Sequence, residues 1–291
     1  MTPRILIIAG SDSGGGAGIQ ADIKTVTMLG GHAMTAVTAI TAQNTLGVSA
    51  VHPVPTDMVL AQIEAVLEDL GADAVKLGMI GPPETALAVA ERLEALAGTP
   101  VVFDPVMIAS SGAVLAEPAT VAAFGRLMAR ATLVTPNVPE LRALEPDASE
   151  PGSGADGRLA AARALAARTG AAILAKGGDA DEPDVTDQLV AADGTVTRWT
   201  SPRLHTRHTH GTGCTLASAI ATGLGAGLPL APAVDRGIAF VARALGAAPG
   251  LGQRHGPMGH GLGRVPFYDL LAALDRGTTA ADWAAQWTDH A

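Results

Sequence analysis

The stretch "RILIIAGSDSGGGAGIQADIKTV", residues 4–26, decides the fold. Residues 5–9 are apolar and read as a strand, and the glycine-rich segment after them opens into a helix marked by Ile19, Ile23 and Val26 at helical spacing. Gly30 and Gly31 end that helix. Moving outward, the rhythm repeats. Strands are predicted at 34–40, 74–79, 101–106, 132–137 and 171–178, and helices at 56–70, 83–97, 117–130 and 156–169. In the helix at 56–70, Val59, Ile63, Val66, Leu67 and Leu70 share one face. Strands that alternate with helices pair in parallel through right-handed crossovers, which implies an α/β chain with a central, mainly parallel sheet and helices on both faces. Two β-type runs around Asp193-Gly194 then predict a hairpin, hence a small antiparallel section at one edge.

Beyond the hairpin, Cys214 leads into a helix carrying Leu216, Ile220 and Leu224, and a second helix is predicted over 231–247. Residues 249–266 read as a flexible loop, and an Ala-rich helical tail follows. Residues 145–157 are the most linker-like piece, yet they fall inside the alternation and read as a surface loop. The expected organisation is one domain over 1–266 with a helical extension over 267–291. Trp283 and Trp287 lie one turn apart there, for packing on the body or on a partner subunit.

A chain of 291 residues with 48% hydrophobic content can bury a sizeable core. Its net charge of −9, without a long run of either sign, argues against nucleic acid as a partner. One cysteine forms no internal disulfide, and the apolar part of the N-terminus is too short for a signal peptide, so a cytoplasmic protein is expected. No apolar stretch reaches the ~18 residues of a membrane span, and no membrane partner is expected.

Ligands of such sheets bind at the carboxyl ends of the strands. There this chain carries "GSDSGGGAGIQAD", "TAQN", "GM", "DPV", "TPNVPE" and "KGGD". "GAGIQA" fits a dinucleotide fingerprint, but residues 34–44 hold no acid for a ribose, which ranks that reading low. Asp12 and Asp22 are either polar contacts of a small ligand or, respectively, a cap and a solvated helix position. "HGTGCT" joins a glycine turn to an amphipathic helix, whose free N–H groups suit phosphate. Asn137 and Glu140 stand three apart at a helix start and Asp104 follows a strand, so a hydrated Mg²⁺ can gather between them; each acid alone reads as a cap or surface charge. With Lys176 they point to phosphoryl transfer, in which positioning and charge neutralisation do most of the work.

These residues resemble the ribokinase-like hydroxymethylpyrimidine and phosphomethylpyrimidine kinases of thiamine biosynthesis. The likeness runs over about 4–266 and rests on "AGSDSGGGAGIQADIKT", "TAQNTLGV", "KLGM", "DPVM", "TPNVPE", "KGG" and "THGTGCTLASAIA" in that order. It implies a dimeric enzyme that uses ATP to phosphorylate 4-amino-5-hydroxymethyl-2-methylpyrimidine and then its monophosphate. By the same resemblance Gln43 reads the aminopyrimidine edge, Asp22 lies near the hydroxymethyl group, and Ala17, Met79 and Val106 line the pocket. Asn137 and Glu140 are implied as the metal-and-phosphate pair, and the reading of the residues themselves puts Asp104 and Glu140 at the metal through water. Lys176 is implied as the ATP phosphate contact and Gly211, Thr212, Gly213 and Cys214 as the anion hole. Gly14 stands where many relatives have Ser. The nearest rival is a pyridoxine or pyridoxal kinase of the same fold, and a non-catalytic ligand-binding protein is the rival from another class.

Cys214 admits several readings. A nucleophile needs a paired histidine, zinc needs more ligands than one cysteine supplies, and a buried apolar thiol is the bland alternative. His205, His208 and His210 are expected in a solvated loop. In sugar kinases resembling this fold the turn ends in an Asp base, so the preferred expectation is a thiol whose pKa is lowered by the helix start, making it a weak base. Lacking a fixed carboxylate, the turn would also tolerate an anionic nucleophile in the second phosphorylation.

Overall fold

The computed structural model describes residues 1–109, 112–146 and 154–262. In chain order these form β1 (Arg4–Asp12), α1 (Gly18–Met28), β2 (His32–Asn44), β3 (Gly47–Pro53), α2 (Thr56–Asp69), β4 (Ala74–Leu77), α3 (Pro83–Glu94), β5 (Val101–Phe103) and α4 (Pro118–Arg130). Then come β6 (Leu133–Val134), α5 (Val138–Leu144), α6 (Gly154–Thr169), β7 (Ala172–Ala175), β8 (Asp184–Val190), β9 (Val196–Pro202), α7 (Thr212–Gly225) and α8 (Leu230–Gly246). All nine strands join one sheet in the order β3-β2-β1-β4-β5-β6-β7-β8-β9.

Burial on both faces explains why β1 is apolar at consecutive positions. Leu6 and Ile8 belong to the core layer shared with α2, α3, α4 and α6, whereas Ile5, Ile7 and Ala9 belong to the layer shared with α1, α7 and α8. The six strands from β2 to β7 in that order pair in parallel. The antiparallel section expected at one edge is present as β7-β8-β9. A second one, β2-β3, closes the opposite edge. Residues 47–53 face solvent along most of their length, so they carry no core-facing alternation for a sequence reading to detect.

Strand order reverses around β1, with β2 on one side and β4 on the other. The chain leaving β1 turns to α1 on one face and the chain leaving β4 turns to α3 on the other, which opens a crevice at the strand ends. The surface loop read over 145–157 falls largely outside the described residues, as does the helical extension over 267–291.

Phe103 of β5 and Phe124 of α4 meet edge to face with centroids 5.1 Å apart, both inside the larger core. Phe124→Ala should lower the unfolding free energy by about 3–5 kcal/mol in urea titrations, the range for truncating a buried aromatic ring. A loss below about 1 kcal/mol would mean that α4 is not packed as described.

Candidate active site

The period of two along the strands places the charges. Ala74, Val102, Leu133 and Leu174 point toward the α7 face, so two positions later Lys76, Asp104, Thr135 and Lys176 point the same way. Lys176 Nζ donates to Asp104 Oδ1 at 2.8 Å, and Thr135 Oγ1 donates to the same oxygen at 3.1 Å. Glu140 Oε2 stands 3.8 Å from Lys176 Nζ. Next to this group Lys76 Nζ donates to Asp22 Oδ2 at 2.8 Å, and Ser218 Oγ donates to Asp22 Oδ1 at 2.7 Å. The Lys76–Asp22 pair is 0% exposed. Burial alone would lower the pKa of either lysine. The facing acids outweigh it and hold both above the ordinary range, Asp22 doing so for Lys76 and Asp104 for Lys176.

The start of α7 hangs over these pairs. Its N-cap, Gly211, has φ 84°, and a Cβ there would sit 2.0 Å from the Gly16 carbonyl oxygen, so only glycine fits. The Thr212 N–H reaches the Thr209 carbonyl and that of Thr215 reaches Gly211. Among the described residues no acceptor takes the N–H of Gly213 or Cys214. A Cβ on Gly213 would lie 3.1 Å from Asp104 Oδ2 and 3.2 Å from Lys176 Nζ, so the bare glycine leaves a cradle beside the buried cation. Two free N–H groups, a helix dipole and an ammonium are together the donor set that an anion calls for. The following glycine, Gly177, is tied down as well: its N–H bonds Asp187 Oδ1 at 2.8 Å.

Asp12 organises the other half. Its carboxylate accepts the N–H groups of Gly14, Gly16 and Ala17 and contacts His210 Nε2 at 2.8 Å. Burial pushes its pKa up, but the His210 and backbone bonds prevail and hold it below the usual carboxylate range. Asp12 therefore does act as a cap, of the loop rather than of α1. Gln43, at the end of β2, places its Nε2 3.3 Å from His210 Nε2. Ala17, Gln43, Met79 and Val106 are all partly exposed at neighbouring strand ends. A cavity of about 490 Å³ opens beside Gln43, Ser13 and the β2–β3 hairpin rather than over Lys176.

Several expectations need correction. Asp22 is not on a solvated face; both carboxylate oxygens are engaged by Lys76 and Ser218, leaving it to act through Lys76. Asn137 and Glu140 form a capping box, the Asn137 side chain accepting from the Glu140 N–H at 2.9 Å and Glu140 Oε2 from the Asn137 N–H at 2.8 Å. The Asn137 NH₂ carries no protein partner among the described residues. His210 is 7% exposed, far from the solvated loop position expected. The 249–262 segment is anchored. Gly256 accepts the His210 N–H, the Gln253 N–H reaches Thr45 Oγ1, and buried His260 meets Thr215 at 2.8 Å. Burial, reinforced by Lys24, pushes His260 down to about 4, so it is neutral at pH 7.

The largest correction concerns Cys214, whose pKa is pushed up to about 11 rather than lowered. Burial is the main cause. Lys76 pulls the other way, but Asp22 and Asp104 reinforce the burial, and a Gly18 hydrogen bond recovers only part of the difference. Sequence reasoning missed Lys76, Ser218, Thr41 and His210. A lysine inside the apolar run "AVKLGM" was the one available signal, because a buried strand lysine requires a buried partner.

Residues 12–259 match the phosphomethylpyrimidine kinase family. The chain is 39% identical over 281 residues to the thiamine biosynthesis multifunctional protein ThiED of Corynebacterium efficiens and 45% identical over 258 residues to the bifunctional ThiED of Geobacter sulfurreducens. Those matches cover 97% and 88% of this chain but only 37% and 52% of those two longer proteins. The hydroxymethylpyrimidine/phosphomethylpyrimidine kinase of Rhizobium meliloti is 46% identical, with 89% of this chain and 97% of that protein aligned. Among solved structures, the pyridoxal kinase of Staphylococcus aureus in complex with AMP-PCP and pyridoxal has a TM-score of 0.82 at 32% identity, covering 91% of this chain and 96% of that one. A phosphomethylpyrimidine kinase of Clostridium difficile has a TM-score of 0.72 at 35% identity, covering 84% and 99%.

The thiol gives the prediction. Thiolate absorbance near 240 nm should stay absent between pH 7 and 9 in the folded protein. A midpoint at or below the ordinary ~8.5 of a free cysteine would restore Cys214 as a base.

Proposed function

This chain belongs to the phosphomethylpyrimidine kinase family, and from that premise we propose an ATP-dependent kinase that phosphorylates 4-amino-5-hydroxymethyl-2-methylpyrimidine and then its monophosphate. The supporting observation is the pair of free N–H groups on Gly213 and Cys214 above the buried Lys176–Asp104 pair. Phosphoryl transfer asks for little covalent help from the protein; it needs donors and cations held where charge spreads over the equatorial oxygens. Lys176 Nζ has three hydrogens, and Asp104 takes one. The rest remain for phosphate.

The donor set also fits Mg²⁺. Among the described residues no three His, Cys, Asp or Glu side chains gather into a metal cage. Mg²⁺ in kinases is typically held by one or two carboxylates plus substrate phosphates, and Asp104 and Glu140 would supply the protein's share. When bound, the ion neutralises developing phosphate charge. Lys176 stands between the two carboxylates and limits how far they repel the phosphates.

Cys214 is not a general base in this reading. With its pKa near 11 the thiol is neutral at pH 7, and its value is the missing negative charge. In the second phosphorylation the nucleophile is a phosphate, already ionised with a second pKa of ~6, which needs no base and which a carboxylate would repel.

A homodimer, a cytoplasmic location and one domain over 1–266 complete the proposal. The single sheet supports the last, and the sheet edge at β3, with exposed Ile40 of β2, Leu46 of the β2–β3 turn and Val51 of β3, is compatible with the first. No helix among the described residues is long and apolar enough to cross a membrane. Pyridoxal is the second reading, favoured by the higher TM-score to the pyridoxal kinase and opposed by the higher identity to pyrimidine kinases.

ATP consumption with the aminopyrimidine, with pyridoxal and with neither ring separates these readings, and no turnover with either ring would leave a ligand-binding protein. Lys176→Met should cut kcat by about 10²–10³ in a protein that still folds, the usual effect of losing a charge-stabilising donor. Cys214→Asp should retain the first phosphorylation and lose the second. Equal loss of both steps would remove the charge argument.

A further inference from the structure

With the Gln43 amide oxygen toward Thr41 and its nitrogen toward His210, the hydrogen atoms around it do not balance. Thr41 Oγ1 lies 2.9 Å from the Ser11 carbonyl oxygen and 3.1 Å from Gln43 Oε1, yet a hydroxyl has one hydrogen and both neighbours are acceptors. On the far side, Gln43 Nε2 lies 3.3 Å from His210 Nε2, and that ring nitrogen lies 2.8 Å from Asp12 Oδ2. A carboxylate oxygen at that distance requires a hydrogen on Nε2, which then faces the Gln43 NH₂ donor to donor. A half-turn of the amide exchanges its oxygen and nitrogen and removes both conflicts. Gln43 NH₂ then donates to Thr41 Oγ1, Thr41 donates to Ser11, and His210 Nε2–H is shared by Asp12 and the Gln43 oxygen. This holds for the neutral Nε2–H tautomer and for the imidazolium alike.

We propose that Thr41 and His210 are specificity-determining residues that fix the polarity of the Gln43 amide, with its oxygen toward His210 and its nitrogen toward Thr41. The surrounding bonds are short and partly buried: Thr41 is 5% exposed, and Ser13 Oγ holds the Gln43 backbone at both N–H and carbonyl, each at 2.8 Å. What remains for a ligand is one N–H and one oxygen lone pair in a fixed order. This inference rests on the reading above that Gln43 faces the ring edge. An aminopyrimidine edge offers a donor amine beside an acceptor ring nitrogen. The 4-oxo analogue, 5-hydroxymethyl-2-methylpyrimidin-4(3H)-one, offers the reverse, an acceptor oxygen beside a ring N–H. Its hydroxymethyl group must still reach the Gly211–Cys214 turn, so the ring cannot turn over to compensate. A fixed amide therefore accepts the first ring and leaves the second with two mispaired groups.

Two measurements test this. In the full ¹⁵N-labelled chain the His210 ring, identified by its loss in His210→Gln, should carry hydrogen on Nε2 at neutral pH. A bare Nε2 overturns the proposal whatever the substrate proves to be. Separately, kcat/KM for the aminopyrimidine should exceed that for the 4-oxo analogue by about 100-fold or more, as expected when buried polar groups are left unpaired. Thr41→Val, which removes the acceptor that anchors the nitrogen, should shrink that ratio by about tenfold, and Thr41→Ser should restore it. A ratio unchanged in Thr41→Val, with both rings weakened equally, would mean that Thr41 only packs and would sink the proposal. Absence of turnover of either ring by the wild-type protein would count against the kinase reading instead, leaving the amide polarity to be decided by the His210 nitrogen.

Discussion

The Asp12 carboxylate is the constraint on which the site depends. It collects three loop N–H groups and the His210 ring at one buried point, joining the glycine-rich loop after β1 to the turn before α7. That junction is why the glycines are required. A Cβ on Gly16 would lie 2.5 Å from His210 Cδ2, and one on Gly211 would lie 2.0 Å from the Gly16 oxygen. With the two segments in contact, the first turn of α7 has one place to go, above Lys76, Asp104 and Lys176. Buried charges are tolerated there because each lysine has a carboxylate at 2.8 Å. Removing one partner would strand the other at a cost of about 3–5 kcal/mol.

Much of the architecture was legible because apolar periodicity reports directly on which faces are covered. The run at 5–9 and the helical face of 56–70 both carry that signal, and both elements form, although α2 ends at Asp69 and leaves Leu70 exposed as its C-cap. β3 carries no such signal, since its residues face solvent on an edge. α5 is seven residues long, and its start was visible only through Asn137 and Glu140. The strand-end rule likewise found Asp104, Lys176 and Gln43, whose positions follow from the sheet. It could not find His210, because three histidines within six residues differ only in what the fold brings opposite them. Asp12 lies 198 positions away in the chain.

Cys214 shows why a local rule can reverse in a folded site. A helix start favours a thiolate when little else is near. Here the thiol lies beside Asp22 and Asp104 as well as Lys76, and burial adds to the acids. The same acids that keep the lysines protonated keep the thiol neutral. Cation strength and thiolate formation are therefore opposed in this arrangement, and the geometry favours the cations.

His210 connects the two halves of the candidate site. Its backbone belongs to the glycine turn before α7, where its N–H meets the Gly256 carbonyl, and its ring stands between Asp12 and the Gln43 amide. The anchored 249–262 segment joins the same two regions from outside, through Gly256 at the turn and Gln253 at Thr45 beyond the end of β2. A shift of the turn that moved the Gly213 and Cys214 N–H groups would therefore move the ring that meets the Gln43 amide. In the proposed kinase, recognition of the ring edge and placement of the phosphate donors would share this one side chain. In that reading a ring that mispairs with Gln43 would lose turnover as well as binding, because the side chain that meets the amide belongs to the turn that carries the donors.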